Sequence, residues 1–349
     1  MTGGGHLSTI AQVAVLKSEF TISVEYLRLI AEQLSRRSVD VDAWLRRGGL
    51  REQPERLVPF PTFRRLVLEA LSMSHEPALG LFVGERLVAT THGMVGFAAI
   101  NSSTVKMALD IVERFSRLRT LLFGITHQVE EHEARIYFRE VLPLGDIQRP
   151  LLEAVVLSIK NVFDAITVGA CQVRYVAFPF DQPDYVALSR DVFGCDVRYG
   201  QDWAGFAVAQ SVLDLPIKLA DPAAFQEATD VCQRELDRLA ANETLSARVR
   251  RLLLERQHGF PSLNVTARML HMTPRTLHRK LVAEGSSYRG ELEAVRHVLA
   301  LEHVKSGRFS MDEIAYRLGY TDLANFRRAF KRWEGMPPSE YRARAEDGD

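Results

Sequence analysis

Two rows of basic side chains near the C-terminal end have the spacing to read a polyanion. Arg275, His278 and Arg279 fall at i, i+3 and i+4, so a helix would set them on one face. Arg327 and Arg328 follow Leu323 and Ala324 at the same interval. Guanidinium forks match guanine O6 and N7 in the major groove, as well as phosphate oxygens. Leu323 and Ala324 offer no such bonds; they suit a thymine methyl, or readout of backbone and shape. Charge distribution points the same way. The whole chain balances 44 basic against 44 acidic residues, but residues 246–344 hold 19 Lys/Arg and 10 Asp/Glu, a net of +9. The rest carries 25 basic and 34 acidic side chains, a net of −9. A polyanion contact is therefore expected in the C-terminal part alone.

The elements that must position these rows are written as an internal repeat. Ala267, Leu270 and Thr273 recur as Ala315, Leu318 and Thr321, 48 residues later. Leu277 and Leu281 recur as Phe326 and Phe330 at a spacing of 49, so the second copy has one more residue in its turn. Each copy has the physics of a helix-turn-helix. A small residue lets two helices cross, the turn reverses the chain, Thr273 or Thr321 caps the next helix, and an i,i+4 apolar pair anchors it. Between the copies, Ser287 to Ser306 reads as one helix with serine at its start and Gly307 just past its end. At ~1.5 Å per residue it makes a rod of roughly 30 Å, close to the ~34 Å between major-groove turns on one DNA face.

The C-terminal hundred residues resemble the DNA-binding domain of the AraC/XylS family of bacterial transcription regulators. The likeness runs through Arg296 and Ala300, the stretch Ile314-Ala-Tyr-Arg-Leu-Gly-Tyr-Thr-Asp322, and Asn325-Phe-Arg-Arg-Ala-Phe-Lys-Arg-Trp-Glu-Gly-Met-Pro-Pro-Ser-Glu-Tyr-Arg342. The resemblance implies base reading by Arg275, His278 and Arg279 in the first unit and by Leu323, Ala324, Arg327 and Arg328 in the second. It also implies phosphate contacts from Lys280, Lys331 and Arg332. Residues 20–215 resemble, more loosely, the variant N-terminal effector domain of that family, through Ala78-Leu-Gly-Leu81, Phe193-Gly194 and Leu213-Asp-Leu-Pro216. A small-molecule effector, contact with RNA polymerase and activation of transcription come with that resemblance.

The front of the chain carries little chemistry of its own. Apolar spacing predicts helices at 24–34, 40–47, 62–73, 79–87, 103–122, 148–168 and 183–193. Strands are expected at 123–129, 134–141, 172–180, 196–199 and 204–209. This irregular order predicts an α+β domain rather than a parallel βαβ array. His127 and His132 straddle a turn and read as surface histidines, not a metal pair. Cys171, Cys195 and Cys232 contain no CxxC pair, and no cofactor is implied. Asp110, Glu113, Arg114, Arg117 and Arg119 read as one charged outer face. Phe97, Phe123, Tyr137, Phe138, Tyr175 and Trp203 read as core, some of them available to a ligand cavity. The helix from Asp221-Pro222 carries Phe225, Ala228, Cys232, Leu236 and Leu239 in a stripe, open to pairing with a second copy or to packing on its own domain.

The fold expected is an α+β N-terminal domain followed by an all-α C-terminal domain with two helix-turn-helix units. Residues 1–19 form a tail, 20–216 an effector-sensing or oligomerisation domain, 217–245 a linker helix, and 246–345 the DNA-binding domain. The partners expected are double-stranded DNA, a small-molecule effector, RNA polymerase and a second copy of the chain. No apolar run approaches the ~20 residues of a membrane helix, and a cytoplasmic location follows as an expectation. The alternatives are a constitutive regulator or repressor with a structural front domain, and an enzyme localised by a basic tail. The absence of nucleophile–base and metal patterns weighs against the enzyme.

Overall fold

The computed structural model describes residues 20–37, 39–48, 57–256 and 259–346. The expected tail, 1–19, lies outside them. The chain divides into two compact units, one of residues 20–140 with 146–241, the other of residues 242–346 with the short segment 141–145.

In the first unit, β1 (Thr21–Ser23) pairs antiparallel with β2 (Leu57–Pro59). Ser23 also caps α1 (Val24–Ser35), accepting from the Glu25 amide at 3.4 Å, as its position before the apolar stripe predicts. Asp40 caps α2 (Val41–Arg47), and Trp44 pins that helix to α3 (Phe60–Ser74) by donating its indole N–H to the Leu66 carbonyl at 3.0 Å. Then follow α4 (Leu79–Gly84), α5 (Gly93–Ile100) and α6 (Val105–Phe115). The helix expected to reach residue 122 stops at Phe115 in a 3-10 turn, Ser116–Leu118, because Thr120 is drawn into a bridge with Ile22 of β1. The buried stripe of α6 is Val105, Ala108, Leu109, Ile111, Val112 and Phe115, and Met107 faces outward.

A five-stranded sheet runs in the order β3 (Phe123–Glu130), β4 (Glu133–Glu140), β7 (Gly205–Ala209), β5 (Val173–Ala177), β6 (Asp196–Arg198). All pairs are antiparallel except β5 with β6, which makes the mixed α+β arrangement expected from the sequence. One sheet face packs on α7 (Gln148–Thr167), where Phe163 meets Phe206 edge-on at 5.3 Å. Tyr137 and Tyr175 flank Trp203, with centroids 5.1 and 6.1 Å from the indole. Gly205 is obligatory: its φ is +147°, and a Cβ there would sit 1.9 Å from the Ile136 carbonyl oxygen. Of the six aromatics read as core, Phe123, Phe138 and Tyr175 are buried and Phe97 is 42% exposed. The short helix expected from Pro183 begins at Val186 as α8 (Val186–Phe193).

Within residues 217–245, expected as a linker helix, the helix runs over Pro222–Asn242. Ala228 and Cys232 of α9 (Pro222–Asn242) are buried against Val95, Ala98, Ile111 and Phe115, with Phe225 and Leu236 packed on the same cluster. The stripe is used within its own unit, because burial beside α5 and α6 removes more apolar surface than an exposed linker could.

The second unit is all helical: α10 (Leu245–Leu254), α11 (Leu263–Met269), α12 (Pro274–Ala283), α13 (Tyr288–Ser306), α14 (Met311–Arg317), α15 (Leu323–Glu334) and α16 (Pro338–Glu346). No helix among the described residues is long and apolar enough to cross a membrane.

Candidate nucleic-acid interface

Each basic row is displayed by a helix that is anchored from behind. Leu277 and Leu281 are fully buried beneath α12, and Phe326 and Phe330 beneath α15, with Ala267 and Ala315 buried at the crossings. The opposite faces carry Arg275, His278, Arg279 and Lys280 on α12, and Ala324, Arg327, Arg328, Lys331 and Arg332 on α15, all exposed; Leu323 is half-buried. Among the described residues, the side chains of Arg275, His278, Arg279, Lys280, Arg327 and Lys331 make no hydrogen bond or ion pair. Arg328 differs, since it donates to Asn325 Oδ1 at 2.7 Å, and Arg332 pairs with Glu293 of α13 at 3.1 Å.

The turns differ in a way the extra residue explains. Thr273 caps α12 as expected, accepting from the Thr276 amide at 3.1 Å. In the second unit the cap is Asp322, which accepts from the Asn325 amide at 2.6 Å, and Thr321 sits one residue outside the helix. A carboxylate at a helix N-terminus also complements the helix dipole.

Helix α13 joins the two readers and is tied to both. Ser287 caps it and Gly307 ends it in the left-handed region at φ +65°. Its 19 residues rise ~28 Å. Near its start the Tyr288 hydroxyl donates to the Pro261 carbonyl, ahead of α11. Midway, Arg296 donates to the Gly319 carbonyl at 2.9 Å in the second turn, with its guanidinium 4.8 Å from the Tyr320 ring and 5.6 Å from that of Phe260. Burial, opposed by Arg296, pushes the Tyr320 phenol up to about 12. Farther along, His297 is buried, stacked on Trp333 and bonded to Glu334 at 2.6 Å. Glu284, just past α12, accepts the Leu245 and Ser246 amides at 2.8 Å each and so closes the first unit onto α10.

Sequence reasoning passed over one surface. A groove of about 370 Å³ beside the second unit is lined by Arg289, Arg296, Arg328 and Arg332, with Tyr320, Thr321, Asn325 and a single carboxylate, Glu293. Its positive balance suits a phosphate. Arg289 is 89% exposed on α13, and only its position across the groove from α15 singles it out.

Residues 266–344 match the family described as "Helix-turn-helix domain", and residues 39–217 match "Arabinose-binding domain of AraC transcription regulator, N-term". The ornithine utilization regulator of Pseudomonas aeruginosa is 32% identical over 316 residues, 90% of this chain and 93% of that one. The chain belongs to the AraC family of transcription regulators. The HTH-type transcriptional regulator VirS of Mycobacterium tuberculosis is 29% identical over 84% of this chain and 87% of its own. The solved transcriptional regulator CdpR from Pseudomonas aeruginosa aligns over 91% of this chain and 98% of that one, at 24% identity and a TM-score of 0.46. This AraC-family chain is a DNA-binding regulator with two helix-turn-helix units, and its relatives are regulators rather than enzymes.

The other sequence candidates resolve into structural roles. His127 is turned toward the acids of α6, 3.1 Å from Glu113 and 3.7 Å from Asp110. Cys171 and Cys232 are buried, and burial pushes the thiols of both Cys171 and Cys195 up to about 11, away from reactive thiolate character. Arg119, read as part of the charged outer face of α6, lies past that helix and turns inward, donating to the Thr91 carbonyl at 2.9 Å. The early end of α6 is the reason.

Proposed function

We propose that this protein controls transcription by laying α12 and α15 in successive major grooves of one duplex, under the influence of a small molecule held by its N-terminal unit. The observation that carries the reading is the pair of exposed basic helix faces, each anchored on its own core and joined by a rod of ~28 Å. In this reading Arg275, His278 and Arg279 meet base edges from the first unit, and Leu323, Ala324, Arg327 and Arg328 from the second. Lys280, Lys331 and Arg332 hold phosphates, joined by Arg289 at the groove. The N-terminal match supports effector control: a ligand preferring the DNA-competent state shifts the population toward it. Activation through RNA polymerase, a cytoplasmic location and self-association complete the reading, the last through a surface other than the α9 stripe. The test is selection of duplexes by the full chain from a random pool, followed by dimethyl sulfate footprinting, which reads guanine N7 in the major groove. Two protected major-groove segments about one turn apart support it. A single protected segment, or no enriched sequence, refutes it. Transcription with purified RNA polymerase on the selected site reads out the sign of regulation.

A further inference from the structure

The N-terminal unit holds a half-open cavity of about 90 Å³ bounded by α1, α3, α4 and α7 and by the start of β3. It has room for several water-sized groups. Its wall is almost wholly apolar, built from side chains such as Ile30, Phe63, Val83, Phe123 and Val155. Gly80 lets α4 approach α7 there; a Cβ on it would sit 2.4 Å from the Pro150 carbonyl oxygen.

Of the polar side chains in the wall, three gather near Arg119, while the fourth, Thr120, accepts from the Leu122 amide. Tyr26, His92 and Ser158 line the cavity, and His92 Nε2 shares a hydrogen bond with Ser158 Oγ at 2.7 Å. Behind them stands Arg119, its guanidinium 6.0 Å from the Tyr26 ring and bonded to Thr91, the neighbour of His92. Its Nε is buried and unbonded, and among the described residues no carboxylate pairs with it. Burial, aided by the Arg119 charge, lowers His92 to about 4, so the imidazole is neutral at physiological pH. Burial likewise keeps the Tyr26 phenol protonated, a neutral donor. The cluster thus holds one inward cation and neutral hydrogen-bonding groups, and among the described residues no acidic side chain lines the cavity.

We propose that this cavity is the effector site and that it takes a small, largely apolar monocarboxylate, whose carboxylate accepts from Tyr26 and the His92–Ser158 pair and neutralises Arg119. A half-buried cation without a counter-ion gives up part of its hydration unrewarded, and an anionic ligand offsets that loss. An amine of the same shape would meet the same positive field with no acid to hold it. A sugar fits no better, because most of its hydroxyls would be desolvated against aliphatic side chains. The assignment rests on the effector-controlled reading only for its regulatory consequence.

The test titrates the full chain with benzoate and hexanoate, then with benzylamine, hexylamine and arabinose, by calorimetry and ligand-observed NMR. At least one acid is expected to bind, with its amine counterpart at least about tenfold weaker and arabinose weaker still. Arg119→Gln should weaken the acid by about tenfold or more, and Val155→Phe should abolish its binding by filling the cavity. The proposal is overturned if neither acid binds below about 10 mM, if amine or arabinose binds as well as acid, or if Arg119→Gln leaves acid affinity unchanged. The wild-type comparison stands even where a variant does not fold. Affinity for the selected duplex is measured in parallel. Loss of acid binding with intact DNA binding sinks this assignment alone, whereas acid binding without DNA binding sinks the function it rests on.

Discussion

Arg279→Ala should separate base reading from phosphate holding. Arg279 is exposed and, among the described residues, has no intramolecular partner, so its removal takes nothing from the fold. The whole effect then falls on DNA. A bidentate contact to guanine is worth ~1–3 kcal/mol, which weakens the selected site about 5- to 150-fold while leaving random duplex within about twofold. Lys331→Ala, equally exposed and unpaired, should instead weaken both duplexes alike and reduce the slope of log K against log salt by ~0.9. Arg332 would give a less clean answer, because its substitution also breaks the ion pair with Glu293, a surface contact of ~0–1 kcal/mol. The assay is fluorescence anisotropy on the selected and scrambled duplexes at four salt concentrations. If Arg279→Ala lowers affinity for both duplexes equally, Arg279 is a phosphate contact and α12 is misplaced in the groove. If it changes neither, α12 does not face the duplex.

Three further outcomes follow from the geometry. Asp322→Ala should remove about 1 kcal/mol from α15 and speed amide exchange in its first turn, whereas Thr321→Ala should leave that exchange nearly unchanged. Burial raises Glu153 to about 8 against an ordinary 4.5, so its stabilising neutral form is complete below about pH 4.5 and is lost as pH rises through 8; Glu153→Gln, keeping an acceptor for Tyr185, should therefore melt with wild type at pH 5 and above it near pH 9, by on the order of a few kcal/mol. The His92 pKa is depressed from 6.5 to about 4, so its contribution is present above pH 6.5 and falls away toward pH 4; its imidazole carbon signals should stay at the neutral position down to about pH 5, and a midpoint near 6.5 would contradict the buried placement.

What the residues disclosed before folding tracks the range of the interactions involved. The helix-turn-helix units were legible because their determinants are local: the i,i+4 pairs Leu277/Leu281 and Phe326/Phe330, and caps such as Ser287 and Thr273. The second cap was misplaced by one residue because Thr321 and Asp322 are both good capping types, and only the backbone decides between them. Arg119 was read as surface because helical periodicity was carried past Phe115, where the bridge to Ile22 ends the helix. The cavity was invisible for a stronger reason. Tyr26, His92, Arg119 and Ser158 are scattered over more than a hundred residues, and no spacing rule links them. Long-range packing alone brings them together.

The two readers are unequal, and the inequality suggests a division of labour. On α12 every basic side chain of the row is free to choose its partner, which suits discrimination among base edges. On α15, Arg328 is already held by Asn325 and Arg332 by Glu293, and the positions nearest the helix start are the half-buried Leu323 and the exposed Ala324. Side chains fixed in place cost less entropy on binding, but they cannot adapt to different bases. Arg332 is then suited to the one feature every site repeats, the phosphate backbone, and the arginine-lined groove next to it presents that chemistry, while Arg328 reads a narrower choice of bases than the free Arg279. In the proposed complex, with Arg296 clasping the second turn to α13, the second unit serves as the fixed anchor from which the first is placed in register. Specificity in the selected duplexes should accordingly concentrate in the half-site under α12, while the half-site under α15 should vary in sequence and be constrained mainly in its distance from the first.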